Sequence, residues 1–352
     1  MENKRKDWIF DKSQKELEKY CITSGFKKYG ATQIMKWIYR RKTFDFAEMT
    51  DLSESLRKKL ANNFCAETPK IVDTKYEEDS DGYSKKYLIK LSDGETIESV
   101  LINYRNRKTL CVSSQIGCKM GCVYCETSGL GFIRNLTSGE IISQILVIED
   151  DIENKITNIV FMGMGEPLDN IAEVEKSLDI ISNANFIAVA PRKITISTCG
   201  VLSTLPNIEN HKYKIAISLN AADNITRSKI MPINKKFPIE NIVKLINDRK
   251  PSIHNKITIE YVLIKDINDH IGNTKKLIKM FSPSKVKFNL IPLNKEKKSI
   301  YLKNFETSDD KTIADFKSKL FKAGFTVTIR FSKAQSVNGG CGQLKAEKIY
   351  SQ

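Results

Sequence analysis

The chain has 352 residues, of which 41% are apolar and 28% charged, a composition that supports a packed core and excludes a disordered chain. Lys and Arg total 57 against 42 for Asp and Glu, and the resulting net charge of +15 points to a polyanionic partner, nucleic acid before an anionic membrane surface. No apolar run approaches the roughly 18 residues of a membrane-spanning helix, and Met1 to Phe10 lacks the apolar stretch of a secretory signal, so no membrane role and a cytoplasmic location are expected.

Residues 1–70 read as a small helical N-terminal accessory domain. Ile34, Trp37 and Ile38 share one helical face, and Ser53 is a suitable N-cap for a helix carrying Leu56 and Leu60. Lys27, Lys28, Lys36, Arg40, Arg41 and Lys42 cluster there, either a solvated face or a nucleic-acid contact surface. Residues 71–105 read as a short antiparallel linker sheet with Asp81-Gly82 and Asp93-Gly94 at its turns. In the last strand Glu98 shares a face with Val100 and Ile102; a carboxylate there needs a partner, or the strand is an edge with that face wet.

From 106 to 330 strands and helices alternate. Candidate strands at 109–115, 157–163, 193–198, 213–219, 257–264 and 285–291, with helices at 137–150, 170–184, 239–249 and 270–281, predict a parallel sheet with crossover helices. Six such units fall short of a closed eight-stranded barrel, so the expected fold is α/β, a partial TIM-like (β/α)6 barrel. A helix at 309–322, a strand at 325–330 and a C-terminal tail at 331–352 follow.

The cysteines are Cys21, Cys65, Cys111, Cys118, Cys122, Cys125, Cys199 and Cys341. Cys118, Cys122 and Cys125 form CxxxCxxC just beyond the first barrel strand, at the end of such sheets that carries active sites. Three thiolates hold three irons of a 4Fe–4S cubane and leave the fourth iron open to a ligand. Zinc is the competing reading, but structural zinc prefers two close pairs of ligands, and the next cysteine is Cys199; a buried apolar cluster of cysteines is the plainest. Met162-Gly163-Met164-Gly165-Glu166 is either a tight βα turn or a place where two glycines admit a ligand to the backbone. Gly339-Gly340-Cys341-Gly342 sets a thiol in a flexible stretch.

CxxxCxxC after the first strand is the signature of radical S-adenosylmethionine (SAM) enzymes. Its surroundings narrow the match: Cys111-Val-Ser-Ser-Gln-Ile-Gly-Cys118, Gly131-Phe-Ile-Arg-Asn-Leu, Phe161-Met-Gly-Met-Gly-Glu-Pro-Leu, Ile196-Ser-Thr-Cys-Gly, the run Arg227 to Asn234, Asn289-Leu-Ile-Pro and Cys341-Gly-Gln-Leu. Over nearly its whole length the chain resembles the RlmN/Cfr family of RNA adenine methyltransferases. The resemblance implies one 4Fe–4S cluster on Cys118, Cys122 and Cys125, and SAM contacts at Gly165, Glu166, Ser197, Ser218, Leu219, Asn220 and Asn294, with Asn220 where the family commonly has histidine. It makes Cys341 the methyl-carrying cysteine, Cys111 its disulfide partner and Glu98 the proton-handling residue.

Two SAM molecules per turnover are implied: one methylates the cysteine, and the second yields methionine and a 5′-deoxyadenosyl radical. The implied substrate is carbon 2 of an adenine in 23S ribosomal RNA, with some transfer RNAs as a second substrate. Residues 131–136 resemble the carbon-2 branch more than the carbon-8 resistance branch; carbon-8 methylation, or another radical SAM reaction on a different substrate, is the alternative. An external electron donor such as flavodoxin and a monomeric state are expected. The segment before Cys341 lacks the acidic residue usual in the family. Cys21, Cys65 and Cys199 are expected to pack. Trp37, Tyr39 and Tyr301 are candidates for stacking on bases, against a core role for each. Further lysines cluster at 235, 236 and 244 and at 285, 287, 295, 297 and 298.

Overall fold

The structure is a computed structural model that describes residues 6–204, 213–250, 256–294, 305–330, 337–340 and 342–344. The N-terminal unit contains α1 (Gln14–Thr23), α2 (Gly30–Met35) and α3 (Glu54–Asn63). Ser13 and Glu16 form a capping box on α1, and the Ser53 hydroxyl accepts from the Leu56 N–H at the start of α3, as its sequence position predicts. Ile34 and Ile38 are buried, but α2 runs into a π turn over Lys36–Arg40. The wider turn sets Trp37 at the rim, where its indole N–H donates to Asp51 and the Arg41 guanidinium lies 3.9 Å from its ring centre. Tyr39 is 1% exposed, so it serves the core and not a base; Tyr301 lies outside the described residues. Ion pairs from Glu16 to Lys176 and from Lys42 to Glu149 tie this unit to the barrel helices.

A single ten-stranded sheet forms the rest of the frame. Its antiparallel part is β1 (Lys70–Asp79), β2 (Gly82–Lys90) and β3 (Thr96–Tyr104), with turns where Asp81-Gly82 and Asp93-Gly94 place them. These strands are not a sheet apart: β3 pairs with β4 (Arg107–Cys111), and β4 pairs parallel with β7 (Asn158–Phe161). The edge-strand reading of Glu98 is therefore corrected, since β3 lies between β2 and β4.

The first barrel strand also ends earlier than 115. Beyond Cys111 the Ser113 and Ser114 amides turn to Gln144 and to the Met164 carbonyl. Residues Gln115–Gly117 (β5) instead pair with Phe132–Asn135 (β6) in a small ribbon. Gly117, at φ 72°, faces the Gly131 carbonyl so closely that no Cβ fits.

The parallel part continues through β8 (Ile194–Thr198), β9 (Lys214–Ser218), β10 (Ile257–Leu263), β11 (Val286–Pro292) and β12 (Val327–Ile329), the last adding a seventh parallel strand to the six βα units expected. Outside the sheet pack α5 (Ser138–Asp151), α6 (Ile171–Ser182), α8 (Ile239–Asp248), α9 (Gly272–Met280) and α10 (Asp310–Lys322), and each of these helices buries apolar residues. Two shorter helices, α4 (Glu126–Gly129) and α7 (Asn224–Ile230), lie in the loops above the strands.

Strand alternation divides the sheet faces. Ile159, Ile194, Ile196, Ile215, Ile217, Ile257 and Ile259 are all buried, each contributing about 1.5–3 kcal/mol relative to exposure. The opposite face carries Cys111, Thr195, Ser197, Ser218, Glu260 and Asn289, as the register pairs Ser218 with Glu260 and Glu260 with Asn289. That polar inner face runs up to the C-terminal strand ends, where the site lies.

Candidate active site

A cleft of about 960 Å³, including its open mouth, lies at these strand ends. Cys118, Cys122 and Cys125 form one wall. The loop holding them is pinned by the Cys118 N–H to the Gly131 carbonyl, by the Val123 N–H to the Ile230 carbonyl, and by the Cys125 N–H to Cys122. Burial pushes the Cys118 thiol up to about 12 and raises that of Cys122 as well.

Across the cleft are Met162, Gly163, Gly165 and Glu166, following β7. The glycines serve the protein first. A Cβ on Gly163 would sit 2.6 Å from the Val112 carbonyl oxygen, and one on Gly165, at φ 95°, would sit 2.5 Å from the Gln115 Cβ. Their identity thus follows from the tight turn against the chain beyond β4, and both residues line the cleft. Glu166 is buried; it accepts from the Leu168 N–H at 3.0 Å and the Cys199 N–H at 2.7 Å, while desolvation raises its pKa against those bonds.

Ser197, Ser218, Asn220 and Asn294 complete the lining. Asn220 adopts φ 56°, accepts from the Val262 N–H at 2.8 Å, and donates through its amide to the Tyr124 hydroxyl and Met231 sulfur. Leu219 is placed differently: its side chain is fully buried, and its carbonyl accepts from Arg227.

Sequence reasoning missed four lining or supporting groups. Cys199, expected to be a packing residue, lines the cleft beside Glu166. Tyr124 and Glu260 line it too, and burial raises the pKa of each. Arg227, with no exposed surface, joins the ends of β8 and β9 from behind by donating to the carbonyls of Cys199, Ser218 and Leu219.

Glu98 and Cys111 do not line this cleft; they lie beside it. Cys111 is the register partner of both Val100 and Val160, so it shares the inner face with Glu98 and stands two residues before the Met162 position along the neighbouring strand. Cys341 lies outside the described residues, but its neighbours are placed. Gly342 lines the cleft, its carbonyl accepts from the Glu126 N–H at 2.8 Å, and the Leu344 carbonyl accepts from the Thr127 hydroxyl at 2.6 Å.

The donor set suits an iron–sulfur cluster. Three soft thiols share one wall of the cleft, and thiolates are the ligands such clusters take. A partial barrel with three thiols and a polar, glycine-turned floor at its strand ends defines a radical SAM enzyme.

Residues 112–278 match the radical SAM superfamily, and residues 9–66 match the ribosomal RNA large subunit methyltransferase N-terminal domain. The chain is 42% identical over 327 residues to a probable dual-specificity RNA methyltransferase RlmN of Dictyoglomus turgidum, covering 92% of each chain. It is 38% identical to the dual-specificity RNA methyltransferase RlmN of a Nitratiruptor species, covering 96% of this chain and 97% of that one. The crystal structure of a radical SAM methyltransferase from Sphaerobacter thermophilus superposes with a TM-score of 0.85 at 32% identity, over 97% of this chain and all of the other. The chain belongs to the RlmN family of radical SAM enzymes, and a 4Fe–4S cluster and SAM are its cofactors. No helix among the described residues is long and apolar enough to cross a membrane.

Proposed function

We propose that this enzyme methylates carbon 2 of an adenine in 23S ribosomal RNA, and of an adenine in some transfer RNAs, consuming two SAM molecules per turnover. Carbon 2 of adenine is electron-poor and does not attack a sulfonium as an ordinary nucleophile, which is why a radical route is needed. Cys118, Cys122 and Cys125 hold the cluster, and the Met162–Glu166 turn with Ser197, Ser218, Asn220 and Asn294 forms the SAM floor. The cluster these thiols would hold would supply, with SAM bound, the one-electron chemistry the reaction needs. Cys341 carries the methyl group, Cys111 is its partner thiol, and Glu98 takes the ring proton. The 1–70 unit contributes RNA contacts, the working form is a monomer in the reducing cytosol, and the electron comes from an external donor such as flavodoxin.

The observation carrying this reading is the convergence on one cleft of the three thiols, the glycine turn and Gly342, the residue after Cys341, with Cys111 and Glu98 on the adjoining sheet face. An anaerobic assay with methyl-labelled SAM and ribosomal RNA fragments tests it. Label at carbon 2 of adenine together with 5′-deoxyadenosine is the expected result, and Cys341→Ala abolishes the first. Full RNA turnover by Cys341→Ala, or a reconstituted protein that makes no 5′-deoxyadenosine, refutes it.

A further inference from the structure

Lys86, on β2, is about as deeply buried as a lysine becomes: it is 5% exposed, and its ammonium lies 2.7 Å from a Glu98 carboxyl oxygen that is equally hidden. Lysine rarely loses its water unless a partner fixes it there. The register explains the placement. Lys86 pairs with Val100, and Val100 pairs with Cys111, so the ammonium, the thiol and, two residues along β3, the carboxylate emerge on one sheet face. Lys85 and Tyr87, the neighbours of Lys86, go to the other face and meet Asp151.

The pair forms the floor of a recess walled by Asp73, Thr74 and Lys75 of β1, by Leu88, and by Asn338, three residues before Cys341. Among the described residues, Asp73 and Lys75 are the other charged groups lining it, and both are exposed. The Glu98 main chain is held from both sides: its carbonyl accepts from the Ser113 hydroxyl at 2.6 Å, and its N–H donates to the Met164 sulfur in the SAM turn.

We propose that Lys86 is a positioning residue of the reaction, its ammonium fixing the Glu98 carboxyl through their buried ion pair and aiming it along the Cys111 face as acceptor of the substrate ring proton. This rests on the role given to Glu98 above. In that step the ring carbon–hydrogen bond breaks, its electron pair stays with the ring, and the proton bonds to a Glu98 oxygen. A neutral carboxyl then stands beside the ammonium, and solvent at the Asp73–Lys75 rim removes the proton. Without the ammonium the carboxyl loses the 2.7 Å contact that sets its direction, and proton transfer needs an acceptor held within hydrogen-bond reach of the leaving proton.

The test compares wild-type protein with Lys86→Met, Lys86→Arg and Glu98→Gln. Lys86→Met is expected to lower kcat about tenfold at neutral pH, with KM for RNA within about twofold. Lys86→Arg, which keeps a cation beside the carboxyl, is expected to recover most of the lost kcat. A second readout needs neither cluster nor RNA. Removing one partner of a buried ion pair strands the other, so the melting temperature of the cluster-free Lys86→Met protein is expected to fall below that of wild type and that of Lys86→Arg to stay near it. A wild-type kcat in Lys86→Met overturns the proposal, as does a folded Lys86→Arg that recovers none of the lost kcat. Wild-type RNA turnover in Glu98→Gln instead overturns the role of Glu98 itself, and the melting comparison then still reports on the ion pair.

Discussion

Arg227 shows how much one side chain holds. Its hydrogen bonds within the described residues all end on oxygens without formal charge: the carbonyls of Leu219, Ser218, Cys199 and Phe237 and the Asn234 side chain. Each would be stranded in the interior if the guanidinium were lost, at about 1–3 kcal/mol apiece before relaxation. Arg227→Met is expected to cost about 3 kcal/mol or more in urea unfolding, and Arg227→Lys to recover less than half, because one ammonium cannot span a planar fork of acceptors. A loss below about 1 kcal/mol in Arg227→Met would show that the strand ends are held by something else.

Single residues were also where sequence reading was least complete. Burial of a lone arginine leaves no periodic mark, so Arg227 stands out only as part of a longer run. Cys199 lies outside the CxxxCxxC spacing, and nothing local tells a packing thiol from one on a cleft wall. Glu260 did carry a signal, since a carboxylate within Ile257–Leu263 is as anomalous as Glu98 among Val100 and Ile102. The glycines of the 162–166 turn were legible as glycines, but the neighbours that exclude a Cβ come from residues 112–115, which sequence distance hides.

At the scale of elements the amino-acid pattern is more transparent, because helix caps and hairpin turns are local chemistry. Ser13 and Glu16 close α1 in a capping box, and Glu16 also reaches Lys176 on α6 at 3.1 Å. These bonds to Ser13 and Lys176 overcome partial desolvation and hold the Glu16 carboxyl down to about 2. A depressed carboxylate stabilises above its unfolded pKa and loses that contribution as pH falls toward the folded value. Half of the side chain is exposed, so solvent screens the ion pair and the cap sets the scale. Glu16→Ala is expected to cost about 1 kcal/mol at neutral pH and almost nothing near pH 2, as read by chemical unfolding at the two pH values. An equal cost at both would point to lost packing. The early end of β4 was not readable in this way, because the chain leaves the sheet there for bonds to Gln144 and Met164, more than thirty residues away.

For the molecule as a whole, the alternation of strands and helices conveyed the partial barrel, whereas the continuity of β1–β3 with it rests on the hairpin of β3 with β4 and the long-range parallel pairing of β4 with β7. The charge has a distribution as well as a sum. Lys27, Arg40 and Arg41 are exposed on the N-terminal unit, Tyr29 beside them is 60% exposed, and Trp37 is sandwiched under Arg41. Lys42, by contrast, is committed to Glu149. Reversing Lys27, Arg40 and Arg41 to Glu is expected to weaken RNA binding across sequences and to flatten the dependence of log K on log salt by about one per lost phosphate contact. An unchanged salt slope in filter binding would locate the RNA on another face.

The stapling of Gly342 and Leu344 onto Glu126 and Thr127 has a mechanical side. Those two donors directly follow Cys125, so residues 342–344 hang from the same short span that ends the sulfur triplet. A shift of that span would carry Gly342 and Leu344 with it, because Glu126 and Thr127 adjoin Cys125 in the chain. Position 341 immediately precedes the first of these staples, so the loop that carries the three thiols and the residue proposed to carry the methyl group share one mechanical support.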